Sequence, residues 1–178
     1  MDGYELIVIS GIDGNFTDFS NLIEPSIFCN DSIKISYDST ISFVQNIKIM
    51  RNIISRIENK CFLIGWSIGA VAAAFLADCE NVKVVVMINP FYKRSEILKR
   101  RNIFCDEEVC ISSTIAQPVH YIIITGIQDE KIPYTESLKI AKQYNISSDN
   151  IHLINNAKHN LNSFPKGKIL EIINNCTL

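Results

Sequence analysis

Ser67 sits at the centre of Gly65-Trp66-Ser67-Ile68-Gly69, a G-x-S-x-G pentapeptide between the apolar run Cys61-Phe62-Leu63-Ile64 and the small-residue stretch 70–77 (AVAAAFLA). A serine on a tight strand-to-helix turn has a strained backbone and an exposed hydroxyl, and flanking glycines let strand and helix pack closely. This is the setting of a nucleophile elbow. The same residues also suit a glycine-bearing loop that ends in a helix N-cap serine. The partners decide between the two, because a hydroxyl attacks a carbonyl only when a neighbouring base takes its proton.

Asp129 and His159 are the candidate partners. Asp129 lies in Gly126-Ile127-Gln128-Asp129-Glu130-Lys131-Ile132-Pro133, after the apolar run 120–125, and His159 lies in Ala157-Lys158-His159-Asn160, after the run 150–154. A neutral imidazole can accept the serine proton, while a buried carboxylate on its other nitrogen fixes the tautomer and stabilises the imidazolium. Taken singly, Asp129 also suits a turn hydrogen bond and His159 an exposed loop. Of the three histidines, His120 and His152 fall inside expected strands, which leaves His159 as the base. Asp13 is the rival acid and Glu130 a weaker one; Asp129 is preferred for its order and spacing before His159. Oxyanion donors are expected from the backbone N–H of Ile68, at the start of the helix, and of Ile12, in the loop Ser10-Gly11-Ile12-Asp13-Gly14-Asn15.

Positioning these groups requires strands that end side by side. Six runs read as strands: 4–10, 33–37, 61–65, 82–88, 120–125 and 150–154. Several are apolar at consecutive positions, as in a parallel sheet covered on both faces. Helical periodicity is read over 16–23, 40–58, 68–79, 134–144 and 166–175. The alternation implies an open, mostly parallel α/β sheet between two helical layers, with the site at the carboxyl ends of the strands. Residues 90–118 exceed an ordinary connection and are expected to carry a short helix over 95–101, capped by Ser95.

Composition narrows the function. A chain of 178 residues fits one domain with its own core, and 17 basic against 19 acidic residues give no electrostatic case for nucleic acid. No stretch approaches the about 18 apolar residues of a membrane span, and Met1 to Glu5 shows no secretion signal, so a cytoplasmic protein without a membrane partner is expected. Six cysteines lack a C-x-x-C pair, which argues against zinc or a thioredoxin-like centre. Cys61 and Cys79 are expected in the core. The proposed chemistry calls for no metal and no cofactor.

With these pieces in order, the chain resembles the α/β-hydrolase superfamily over nearly its whole length, on Gly65 to Gly69, Gly126 to Pro133 and Ala157-Lys158-His159. The resemblance implies a minimal member, without the two N-terminal strands of the full fold and with the lid reduced to 90–118. It implies Ser67 as nucleophile, Asp129 as acid and His159 as base. Ser10-Gly11 stands where the family usually has His-Gly. The Gly-Trp-Ser-Ile-Gly elbow is similar to those of pimeloyl-acyl-carrier-protein methyl ester esterases of biotin synthesis and of thioesterases acting on carrier proteins. A basic cluster (Lys93, Arg94, Lys99, Arg100 and Arg101) agrees with an acidic carrier protein as partner, and with Trp66 it forms the expected substrate or carrier contact. The same cluster also suits a solvated helix face. The expected activity is cleavage of a carboxylic ester or thioester through an acyl-enzyme. Rival readings are a non-catalytic α/β-hydrolase-like binding protein, or a peptidase or lactonase using the same triad.

Overall fold

Consecutive β-branched residues build the centre of the molecule. The computed structural model describes residues 4–12, 16–17, 19, 32–92 and 118–175. In chain order the strands are β1 (Tyr4–Ile9), β2 (Ile33–Ile35), β3 (Lys60–Trp66), β4 (Val82–Ile88), β5 (His120–Gly126) and β6 (Ile151–Ile154). They form one six-stranded sheet in the order β2-β1-β3-β4-β5-β6. Every pairing in it is parallel. Successive side chains of a strand point to opposite faces. Ile7, Ile9, Leu63, Val85, Met87 and Ile123 therefore join one core, and Val8, Phe62, Ile64, Val86, Ile122 and Ile124 the other. Burial on both faces is why these runs are continuous rather than alternating.

Four α-helices belong to the described residues: α1 (Phe43–Ile54), α2 (Ile68–Phe75), α3 (Tyr134–Gln143) and α4 (Lys168–Asn175). Residues of α1, α2 and α3 pack into the first core; Ile169, Ile172 and Ile173 of α4 pack into the second. The result is the expected three-layer arrangement. β1 connects to β2 on one side and β3 lies on its other side. This reversal leaves a crevice beyond the carboxyl ends of β1 and β3, the usual location of an α/β site.

Several boundaries are tighter than periodicity predicts. α1 begins after Ser42, whose hydroxyl accepts from Gln45 N while the Gln45 side chain accepts from Ser42 N. Such a reciprocal box is worth about 1 kcal/mol. Thr40, expected in the helix, instead donates its N–H to Asp38 Oδ1 at 2.8 Å. At the other end Asn81 Nδ2 donates to Ile54 O and Ile57 O, at 2.8 and 3.0 Å, and takes up carbonyls that a longer helix would use. α2 stops at Phe75, where Arg51 donates to the carbonyl at 3.2 Å. β2 leaves the ladder before Tyr37, whose N–H turns to Ser10 Oγ at 3.3 Å. Cys61 and Cys79 are buried free thiols, and burial pushes the Cys61 thiol up to about 11.

Only Phe16, Thr17 and Phe19 of the expected 16–23 helix are described. Asp13, Cys29, Cys105, Cys110, Cys176 and the expected 95–101 helix lie outside the described residues, as does most of the 90–118 lid. Among the described residues no helix is long and apolar enough to cross a membrane.

His152 of β6 buries its Nε2 without a hydrogen-bond partner among the described residues. Burial, aided by the charge of Lys168, holds its imidazole below the ordinary 6.5. The unfolded chain therefore binds a proton that the folded one resists, and stability present above pH 6.5 is lost as pH falls toward the folded value. The urea midpoint of the wild type is expected to fall more between about pH 7.5 and about pH 5.5 than that of His152→Gln. Equal falls in both proteins would exclude this contribution.

Candidate active site

Ser67 directly precedes α2, yet it does not cap it. Its backbone has φ 57° and ψ −120°, and its side chain makes no capping hydrogen bond. Ser42 precedes α1 with φ −65° and ψ 157° and does cap its helix. One residue type at one position in two helices thus does two different things. A capping serine has extended backbone and a committed hydroxyl; Ser67 has neither.

The unusual backbone is held from all sides. Ser67 N donates to Ile88 O at 2.9 Å, and Ser67 O accepts from Ala70 N and Val71 N at 3.1 and 3.3 Å. A Cβ on Gly65 would lie 2.2 Å from Gly69 O, and one on Gly69 would lie 2.4 Å from both Ile9 O and Ser10 O. Glycine is required at both positions by close backbone approach rather than by φ. The same packing draws the end of β1 over the N-terminus of α2. Gly11 continues it, and a Cβ there would lie 3.0 Å from the Trp66 ring; Ile12, the next residue, packs against the first core.

Asp129 and His159 meet across the ends of neighbouring strands. His159 Nδ1 lies 2.8 Å from Asp129 Oδ2, with both side chains nearly or wholly buried. Asp129 Oδ1 accepts from Lys131 N and Ile132 N, each at 2.8 Å. A carboxylate that only accepts makes Nδ1 the donor of this bond, and the neutral imidazole with its proton on Nδ1 has its lone pair on Nε2. Glu130, the weaker rival, is exposed.

The two loops are laced together by backbone. Gln128 N donates to Ala157 O at 3.0 Å and Ile127 N to Ile154 O at 3.1 Å. A Cβ on Gly126 would lie 2.3 Å from Ala157 O, which sets the closeness of the two loops.

Trp66 links this pair to the elbow. Its ring centroid is 5.4 Å from that of His159, and its Nε1 donates to His159 O at 3.0 Å. Trp66 was expected to contact substrate or carrier; the contacts observed for it hold the His159 loop against β3. Arg94, Lys99, Arg100 and Arg101, the rest of that expected surface, lie with Lys93 outside the described residues. Among the described residues no group of three metal-ligating side chains comes together.

Asn89 is the residue that sequence reasoning missed. It is fully buried with φ 47°, and its side chain donates to Lys158 O and His159 O while accepting from Gly126 N. Its only signal in the sequence is the pair Asn89-Pro90, which reads as a turn.

Similar solved structures share this architecture. A monoacylglycerol lipase from Paleococcus ferrophilus superposes with a TM-score of 0.66 at 12% identity, over 97% of this chain and 91% of that one. The ydeN gene product of B. subtilis gives 0.62 at 11% identity, over 96% of each chain. The chain has the α/β-hydrolase fold. An α-beta serine hydrolase homologue from Coxiella burnetii has the same α/β-hydrolase fold, with a TM-score of 0.61 at 17% identity over 99% of this chain and 88% of that one. No family model matches the chain, and no curated protein matches it in sequence.

Gly69→Ala is expected to cost roughly 2 kcal/mol or more, because its methyl group meets two carbonyl oxygens rather than a side chain that can swing away. The urea midpoint reads the loss directly. An unchanged midpoint would show that the β1–α2 approach is softer than described.

Proposed function

We propose that this protein is a serine hydrolase that cleaves a carboxylic ester or thioester through an acyl-enzyme. One observation carries the reading: a serine with positive φ whose hydroxyl makes no capping bond lies one residue from Trp66, which grips a histidine hydrogen-bonded to a buried carboxylate. Strained backbone at a serine that caps nothing needs a reason, and exposing a nucleophile is one.

In this mechanism Ser67 Oγ attacks the acyl carbonyl carbon as His159 Nε2 takes the hydroxyl proton. Asp129 holds the imidazolium through Nδ1–H. The oxyanion is placed against the N–H groups of Ile68 and Ile12; that of Ile68 belongs to the first turn of α2, which has no intrahelical acceptor. Collapse breaks the carbonyl bond to the alcohol or thiol, which leaves with the proton from Nε2. Water, deprotonated by the same nitrogen, then attacks the acyl-Ser67 ester; collapse breaks the bond to Oγ, which takes the proton back from Nε2, and releases the acid. Nothing in this cycle calls for a metal or an organic cofactor.

A fluorophosphonate probe is expected to label the wild type and not Ser67→Ala. His159→Ala and Asp129→Asn should each lower kcat on acyl esters by roughly a thousandfold or more per folded molecule, with native circular dichroism retained below each variant's own thermal midpoint. A folded wild type that resists the probe, or labelling that survives in Ser67→Ala, would refute the assignment.

A carrier-linked acyl group, such as a pimeloyl-carrier methyl ester, is the finer form of the proposal, and its support is the basic cluster in the sequence. Converting Lys99, Arg100 and Arg101 to Glu should raise KM for acylated carrier protein severalfold and leave KM for a short ester unchanged. Equal effects on both substrates would remove the carrier protein from the proposal.

A further inference from the structure

We propose that Asn89 is a positioning residue that sets His159 and Asp129 relative to each other and to Ser67. It rests on the hydrolase reading above for its consequence in turnover, but its geometry stands apart from that reading.

Asn89 follows the last residue of β4 and is wholly buried. A primary amide offers two N–H donors and an oxygen that accepts twice. All are used. Nδ2 donates to Lys158 O at 3.1 Å and His159 O at 3.3 Å. Oδ1 accepts from Gly126 N at 2.8 Å and Thr125 Oγ1 at 3.2 Å. Its backbone N–H donates to Ile124 O at 2.9 Å. One side chain therefore ties the end of β4 to the end of β5, where the Asp129 loop begins, and to the peptide that carries His159.

The His159 carbonyl receives a second donor, Trp66 Nε1 at 3.0 Å, from the residue before Ser67. Asn89 and Trp66 thus share one acceptor, and the histidine main chain is located from the carboxyl ends of β3 and β4, beside the serine. Both ends of the Asp129–His159 hydrogen bond consequently have their backbones set by Asn89. Aspartate would not serve, since it has no donor for the two carbonyls and would bury a second negative charge near Asp129. The left-handed φ of 47° adds a further requirement, which asparagine and glycine meet best.

That overlap supplies a clean test, because Asn89→Gly keeps the backbone preference and removes only the bridging amide. The expected result is a roughly ten- to hundredfold fall in kcat and in the rate of fluorophosphonate labelling, with KM within about threefold of the wild type. A staple that only stabilised the fold would lower the thermal midpoint and leave kcat per folded molecule intact. Asn89→Ser, which retains a small polar side chain, is read in the same way if the glycine variant does not fold. The second readout is the low-field proton resonance of His159 Nδ1–H, recorded without substrate. It should be present in the wild type, absent from His159→Ala, and shifted or lost in the Asn89 variants. Folded variants that keep both the resonance and the labelling rate within twofold overturn the proposal. A wild type that never labels, but whose resonance is lost with Asn89, supports the positioning role and overturns the hydrolase reading instead.

Discussion

A backbone that turns through φ 57° at a serine persists only where its surroundings leave it no other path. Such a conformation costs roughly 1–3 kcal/mol. Here β3 enters and α2 leaves through a gap in which neither Gly65 nor Gly69 has room for a methyl group. The hydrogen bond from Ser67 N to Ile88 O ties the turn to β4, and two N–H groups of α2 hold its carbonyl. The burial of seven consecutive residues from Ile68 to Ala74 sets the helix in that gap. Relaxing the serine would mean withdrawing α2 from β1 and β3 together.

The remaining parts of the site are arranged outward from that turn. Trp66 follows Ile64 by two residues on β3 and so projects to the same face of the sheet, the one occupied by α4, where its ring meets that of His159. The contact is polar as well as apolar, since the indole N–H holds the His159 carbonyl. Asp129 approaches the same histidine from the loop after β5, its carboxylate already engaged by two backbone N–H groups of its own turn. Three loops from three strands are thereby joined by short, buried, directional bonds, which is how an imidazole is held to within a fraction of an ångström.

The central strands and their parallel class were legible because β3, β4 and β5 are long apolar runs buried on both faces, whereas the edge strands β2 and β6 are short and carry exposed Lys34 and Leu153. Helix limits were less so. Residues 40–42 and 55–58 are as compatible with helix as their neighbours, but Asp38 and Asn81 bind the backbone there and stop it. These are contacts from outside the helix, and no periodicity encodes them. The acid–base pair was legible by residue type and chain order, and its members do meet at 2.8 Å. Asn89 was not, because its identity as a turn residue is the same whether its amide faces water or four partners.

By itself the sequence determined which segments bury both faces, where the chain has glycines that permit close approach, and which side chains have the chemistry of nucleophile, base and acid. Tertiary structure alone decided that Ser67 forgoes the capping role Ser42 performs, that Trp66 turns inward to the His159 loop, and that Asn89 bridges two loops 30 or more residues away in the chain. The reason is physical. Residue type sets what a group can donate, accept or tolerate, whereas the identity of its partner depends on which strand ends the sheet order β2-β1-β3-β4-β5-β6 brings side by side.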